Sequence, residues 1–280
     1  MDNNAASLYL IPTPIGNLGD FTLRAHHILK QLNYVACEDT RTSAPILKNI
    51  NPHLHLFAAH EHNENQASEK IIALLKQNES VGLVSDAGTP AISDPGAKIV
   101  CKVQQAGFAI VPLPGACAAI AAFSASGFLA KHFYFYGFLP SKKNGRIQVL
   151  NDLKNQNGAL IFYESPHRIK ETLNDLANIF PQRELFVARE LTKCFEELTT
   201  LLCHDAPKWF NENPNRQKGE FVLILNEGKI ENPFENKTEE LLKYLLEHNL
   251  SVKDSAKITE KITGIHKKIL YEKALLLKKE

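Results

Sequence analysis

The chain of 280 residues has one tryptophan, one methionine and five cysteines. Cys37, Cys101, Cys117, Cys194 and Cys203 are scattered, odd in number and free of any C-x-x-C spacing. This excludes a zinc framework and argues for reduced thiols over a disulfide scaffold. Charge of one sign is also missing. The formal net charge is +1, so no global field marks a nucleic-acid partner, and any such contact must be local. No apolar run approaches the roughly 20 residues of a transmembrane helix. The opening stretch MDNNAASLYLIPTP has neither a basic leader nor a long apolar core, so no secretory signal is expected. These absences lead to the expectation of a cytoplasmic protein with no membrane contact. Several chemical signatures are absent too. There is no G-x-x-x-x-G-K-[ST], no G-x-G-x-x-G after a strand and no G-x-S-x-G, while HEHNE at 60–64 lacks the spacing of a zinc-protease helix. No metal site is expected.

What is present is alternation. Hydrophobic residues make up 44% of the chain, enough for a sizeable core. Short β-rich runs at 8–12, 34–37, 54–57, 81–84 and 108–113 alternate with helical patterns at 22–31, 67–76 and 94–105, which implies βαβ units and a largely parallel sheet. Near Gly115 the composition turns small and almost uncharged, as PLPGACAAIAAFSASG. A second alternating segment follows, with strands expected at 133–136, 160–163, 184–188, 198–202 and 221–225. Beyond it strand signals stop, and three helices are expected at 239–248, 253–262 and 267–278, with Gly264 breaking the last two apart. The expected organisation is an α/β domain over 1–115, a second α/β domain over 116–230 and a small helix-turn-helix-like domain over 235–280.

Five polar turns stand out: IPTPIGNLGD, ACEDTRTS, SDAGTPAISDPG, PLPGACA and FYESPHR. Four of them directly follow an expected strand. In open α/β sheets the crevice beyond the carboxyl ends of the strands is the usual ligand site. Gly88 permits close backbone approach, Pro90 fixes the chain after it, and Asp86 can bond within the turn or to a ligand. These loops hold carboxylates and backbone groups but no cluster of cations for a triphosphate. A ligand of low net charge fits them, and S-adenosylmethionine is one such ligand.

Six segments in order, IPTPIGNLGD, CEDTR, SDAGTPAISDPG, PLPGACAAIAA, FYESPHR and KGEFVLIL, resemble the bacterial 16S rRNA cytidine 2′-O-methyltransferases, a family of the tetrapyrrole-methylase superfamily. The resemblance extends into the tail SAKITEKITGIHKKILYEKAL. It implies two α/β domains with S-adenosylmethionine in the cleft between them, a homodimer, and a cytidine in the decoding region of the small ribosomal subunit as target. It further implies cofactor contacts from Leu10, Ile11 and Pro12; from Asp86, Gly88, Thr89 and Ile92; from Ala116, Cys117 and Ala118; from Phe162 and Tyr163; and from Gly219, Glu220 and Phe221. Cys117 stands where the family often has serine and reads as a small packing residue.

Methyl transfer to a ribose hydroxyl needs alignment of oxygen, carbon and sulfur, and a group to accept a proton. Candidate bases or orienting groups are Glu38, Asp39, His60, Glu61, Glu64, Glu164 and His167. Glu38, Asp39 and Arg41 are expected nearest the substrate, although CEDTR also suits an internal ion pair with a helix cap. Ser165 and Pro166 suit the start of a helix. Arg168, Arg189 and Lys193 are candidates for rRNA phosphate or a developing oxyanion. The segment LPSKKNGR offers Lys142, Lys143 and Arg146 as a mobile phosphate clamp, and the tail offers Lys267 and Lys268. Two other readings stay open: a tetrapyrrole C-methyltransferase with the same fold and cofactor, and a binding module without turnover.

Overall fold

The computed structural model describes residues 6–228 and 233–278. Residues 1–5, 229–232 and 279–280 lie outside the described residues, and with them the start of the first expected domain and the ends of the second and third. The chain divides into two compact units, Met1–Glu227 and Gly228–Glu280.

The first unit holds two five-stranded sheets. One is built from β1 (Ser7–Leu10), β2 (Tyr34–Cys37), β3 (His55–Ala58), β4 (Val81–Val84) and β5 (Ala109–Pro112), in the order β3-β2-β4-β1-β5. Every pairing in it is parallel, so all five strands end on one edge. Helices α1 (Leu23–Gln31), α2 (Thr40–Ile50), α3 (Glu64–Lys76) and α4 (Ala97–Gln105) supply the crossovers. Two apolar clusters form, one around Leu8, Ile71, Leu83 and Ile99 and the other around Ile11, Leu29, Val35 and Leu47. β4 is buried at all four positions, which is why VGLV shows no polar alternation.

The second sheet follows α5 (Ala118–Ala125). It comprises β6 (Phe133–Phe138), β7 (Ala159–Glu164), β8 (Glu184–Arg189), β9 (Glu197–Leu202) and β10 (Phe221–Leu225), in the order β6-β7-β10-β8-β9. Helices α6 (Lys143–Asp152), α7 (Ile169–Ile179) and α8 (Ala206–Glu212) accompany it. Only β6 and β7 pair in parallel; the other three pairings are antiparallel. The parallel expectation therefore holds for the first sheet alone. The link from Glu190 to Glu196 is too short for a parallel crossover, which takes a dozen residues or more.

Two local expectations need correcting. ACEDTRTS is a turn only as far as Asp39, after which α2 runs through Pro45. A polar, proline-containing run hides the helical pattern of Ser43 and Leu47, its buried residues. Ser165 does not cap α7 with its side chain. Its carbonyl accepts from the amides of Arg168 and Ile169 in a turn preceding the helix.

The second unit contains α9 (Pro233–Glu247), α10 (Val252–Thr263) and α11 (Lys267–Leu277). Ser251 caps α10, accepting from the Asp254 amide at 3.1 Å, and Gly264 closes it at φ 73°. That left-handed C-terminus is one glycine adopts freely. Leu242, Ala256, Leu270 and Ala274 form its small core. Among the described residues no helix is long and apolar enough to cross a membrane.

Candidate functional site

Because β4 lies between β2 and β1, the Ser85–Gly96 loop leaves the sheet between the loops of its two neighbours. It is tied to both. Thr13 and Gly88 exchange backbone hydrogen bonds at 2.9 and 3.0 Å, and the Asp39 amide donates to Asp86 Oδ1 at 3.2 Å. The Thr89 hydroxyl donates to the Ala116 carbonyl at 2.9 Å, joining this loop to the chain entering the second half. Gly115 packs on Pro12 so closely that an added Cβ would meet the proline ring at 2.5 Å.

Between the loops and the second sheet lies a cleft of about 300 Å³. Gly88, Thr89, Ile92, Ser93 and Asp94 line it from the first half, and Cys117, Ala118, Phe138, Tyr163, Glu220 and Phe221 are among those lining it from the second. The lining includes the carboxylates Asp94, Glu164 and Glu220 but no Lys or Arg. Ala91 near the cleft takes φ 64°, and Glu190 and Thr192 take 52° and 66° on either side of the lining residue Leu191. Non-glycine residues held in the left-handed region tend to gather at functional sites.

Of the residues expected at a cofactor, Gly88, Thr89, Ile92, Cys117, Ala118, Tyr163, Glu220 and Phe221 line this cleft. Leu10, Ile11, Pro12, Asp86, Ala116, Phe162 and Gly219 do not. Ile11 is fully buried in one of the first sheet's cores and Leu10 packs on the other. Asp86 and Ala116 act on the loops, through the Asp39 amide and the Thr89 hydroxyl. Phe162 is fully buried in the core beneath α7, because consecutive strand residues face opposite ways and Tyr163 holds the cleft side. Gly219, at φ 97°, lies against Glu190, whose Cγ would stand 2.4 Å from an added Cβ. The Tyr163 hydroxyl accepts from the Ala119 amide at 3.1 Å, at the start of α5, where Cys117 gives no side-chain cap. Burial pushes the Tyr163 phenol up, so it stays neutral in this role.

The acidic residues behave unequally. Asp39 caps α2 and is held by Arg41, whose Nη2 donates to Oδ2 at 2.7 Å. The Arg41 guanidinium and amide pull its carboxyl down to about 2. Glu38 has no ion pair among the described residues. Burial, then the carboxylates of Asp94 and Asp86, push its carboxyl above the ordinary value. Asp94 is raised by burial too, partly offset by a hydrogen bond from Ser85, and then raised further by Asp86. The sequence reading passed over Asp94, although it is the second aspartate of the same loop. Glu64 is buried, accepting from the Gly96 amide at 2.9 Å and pairing with Lys98 at 3.1 Å, which anchors α4. Glu164 lines the cleft but is held by Thr172 at 2.6 Å and by the Ser165 amide at 2.8 Å.

Half of the cations expected at RNA are held by the chain's own acceptors. Arg146 is fully buried in α6, with Nε 2.6 Å from Asp175 and Nη2 3.1 Å from Glu171. It belongs to no mobile clamp. Arg189 donates to the carbonyls of Lys218, Phe195 and Asn215 at 2.7, 3.1 and 2.8 Å. Arg168 donates to the Leu139 carbonyl and lies 3.4 Å from Glu164. Lys193 bridges Glu190 and Glu220, each at 2.8 Å. Each of these four side chains is engaged by carbonyls or carboxylates of the chain itself. Lys142 and Lys143 are exposed at the start of α6 and make no ion pair among the described residues. Lys267 and Lys268 open α11, where the His266 ring accepts from the Lys268 amide at 3.3 Å.

Residues 7–206 match the family of Tetrapyrrole (Corrin/Porphyrin) Methylases, and residues 233–278 match the RsmI C-terminal HTH domain. The chain is 42% identical over 278 residues to the Ribosomal RNA small subunit methyltransferase I of Pasteurella multocida, covering 98% of this chain and 99% of that one. It belongs to the ribosomal RNA small subunit methyltransferase I family of tetrapyrrole methylases. The Escherichia coli O157:H7 relative of the same name is 41% identical, over 98% of this chain and 96% of its own. A solved uroporphyrin-III C-methyltransferase from Thermus thermophilus, complexed with S-adenyl homocysteine, shares the fold. Its TM-score is 0.51 at 17% identity, over 79% of this chain and 98% of that one.

Proposed function

We propose that this chain transfers a methyl group from S-adenosylmethionine to the ribose 2′-hydroxyl of a cytidine in 16S rRNA. The observation that carries the reading is likeness to the ribosomal RNA methyltransferases along 98% of the chain, the C-terminal helices included. The solved C-methyltransferase resembles only 79% of it.

The cleft suits a donor that is cationic at sulfur. Its lining has carboxylates, small side chains and the rings of Phe138, Tyr163 and Phe221, and no cation to repel a sulfonium. The donor supplies a methyl group already activated for displacement. The chain's part is to align the hydroxyl with it and to accept the hydroxyl proton. Alignment alone can contribute ~7–11 kcal/mol. Of the three residues first assigned to the substrate, Glu38 is the one we assign to the proton. Its carboxyl is raised and has no ion pair among the described residues, whereas Asp39 and Arg41 satisfy one another. Asp94, which lines the cleft, adds a carboxylate that favours the cationic donor.

We further assign a homodimer through the apolar surface of α5 and the edge strand β6. Ile120, Leu129 and Phe133 are exposed there, and apolar residues of this kind are what such an interface buries. A cytoplasmic location is part of the same reading. The deciding experiment is incubation with tritiated S-adenosylmethionine and small ribosomal subunits lacking this modification, followed by mapping of the label. Label on the 2′-oxygen of one cytidine is expected. Donor binding without label would overturn the rRNA reading in favour of a tetrapyrrole substrate or a non-catalytic role.

A further inference from the structure

Phe138 is a large aromatic residue at the cleft that the donor-binding wall does not explain. In an unbroken β6 it would share a face with Tyr136, whose ring lies 6.1 Å from that of buried Phe162. It does not, because the register against β7 slips between Phe135 and Gly137. Gly137, at φ 80°, makes the slip possible. The bulge turns Phe138 over to the opposite face, beside Tyr163, with ring centroids 5.7 Å apart. Such bulges re-aim a side chain next to an active site. Across the cleft, Ser93 of the β4 loop stands 3.4 Å from where a Cβ on Gly137 would sit. Phe138 therefore stands where the two halves meet, lines the cleft and stays 52% exposed.

The chain then runs through Leu139 and Pro140 to the exposed Lys142 and Lys143. An open aromatic face followed closely by two free cations is the pattern by which proteins hold an unstacked nucleotide, the base on the ring and the phosphates on the lysines. We infer that Phe138 stacks on the base of the target nucleotide and positions its ribose in the cleft. This rests on the rRNA reading above.

The test compares Phe138→Ala, Phe138→Leu and Phe138→Trp with the unaltered protein. Each is measured for S-adenosylmethionine affinity and for methyl transfer to small subunits lacking the modification. Stacking predicts that the Ala and Leu variants lose about 5- to 150-fold in kcat/KM for the subunit, with donor affinity unchanged, and that Trp restores activity. Unchanged donor affinity also certifies that the variants fold. Equal activity in all four proteins would overturn the inference. So would a parallel loss of donor affinity, which would assign the ring to the donor. If the unaltered protein binds donor but labels no subunit, the rRNA reading fails and this inference falls with it.

Discussion

Glu38 and Asp94, on loops of the first sheet, can be set beside Arg146 and Arg189 in the second half. All four are charged residues whose roles the sequence alone leaves open. The two acids are part-buried, each is raised by burial and by the nearby Asp86 carboxylate, and neither has a cationic partner among the described residues. The two arginines are fully used, one by Asp175 and Glu171, the other by three carbonyls. A charge left without its counter-charge near a cleft is available to a ligand, while one already satisfied is part of the scaffold.

The largest expected effect is on Glu38. Glu38→Gln should lower kcat by about 10²–10⁴-fold with donor affinity falling much less, and single-turnover kinetics would separate the two. A kcat near that of the unaltered protein would remove Glu38 as proton acceptor. Arg146→Ala should act on stability instead. Removing one partner of a buried ion pair costs about 3–5 kcal/mol, to be read as a lower urea midpoint, and folded molecules should still bind donor. Loss of subunit methylation without loss of stability would return Arg146 to the RNA.

Asp94→Asn should weaken donor binding about tenfold, as expected for a contact to a charged group. Because the folded carboxyls of Glu38 and Asp94 are raised, they protonate at higher pH than the ordinary 4.5 and 3.8. Donor affinity should therefore fall with decreasing pH sooner than for ordinary carboxylates, and calorimetry across that range would detect it. The sign for folding is opposite. Raised carboxyls disfavour the folded state above their folded pKa, and that penalty is relieved as pH drops through it. The smallest effect is expected from Lys142→Ala with Lys143→Ala. Stability and donor affinity should hold, while subunit binding weakens and its log–log salt slope falls by about 2.

Much of the fold is legible along the chain. All ten strands sit close to where their β-rich runs place them, since a buried parallel strand such as VGLV is an uninterrupted apolar segment. The helix from Thr40 is hidden by Pro45 and its polar first turn. The lining of the cleft is legible in part. Gly88, Thr89, Cys117 and Ala118 line the cleft, but Phe162 and Tyr163, adjacent in sequence, part company across the sheet.

The sequence by itself determined the strand and loop order, the family, and the placing of polar turns at the ends of the first sheet's strands. These depend on residue type and spacing along one chain. Only the tertiary structure decided which charges are free, that the second sheet is mixed, and that a one-residue bulge sends Phe138 to the cleft. The reason is that burial, counter-charges and strand register belong to pairs of segments distant in sequence, and a side chain's chemistry follows from what the other segment brings to it.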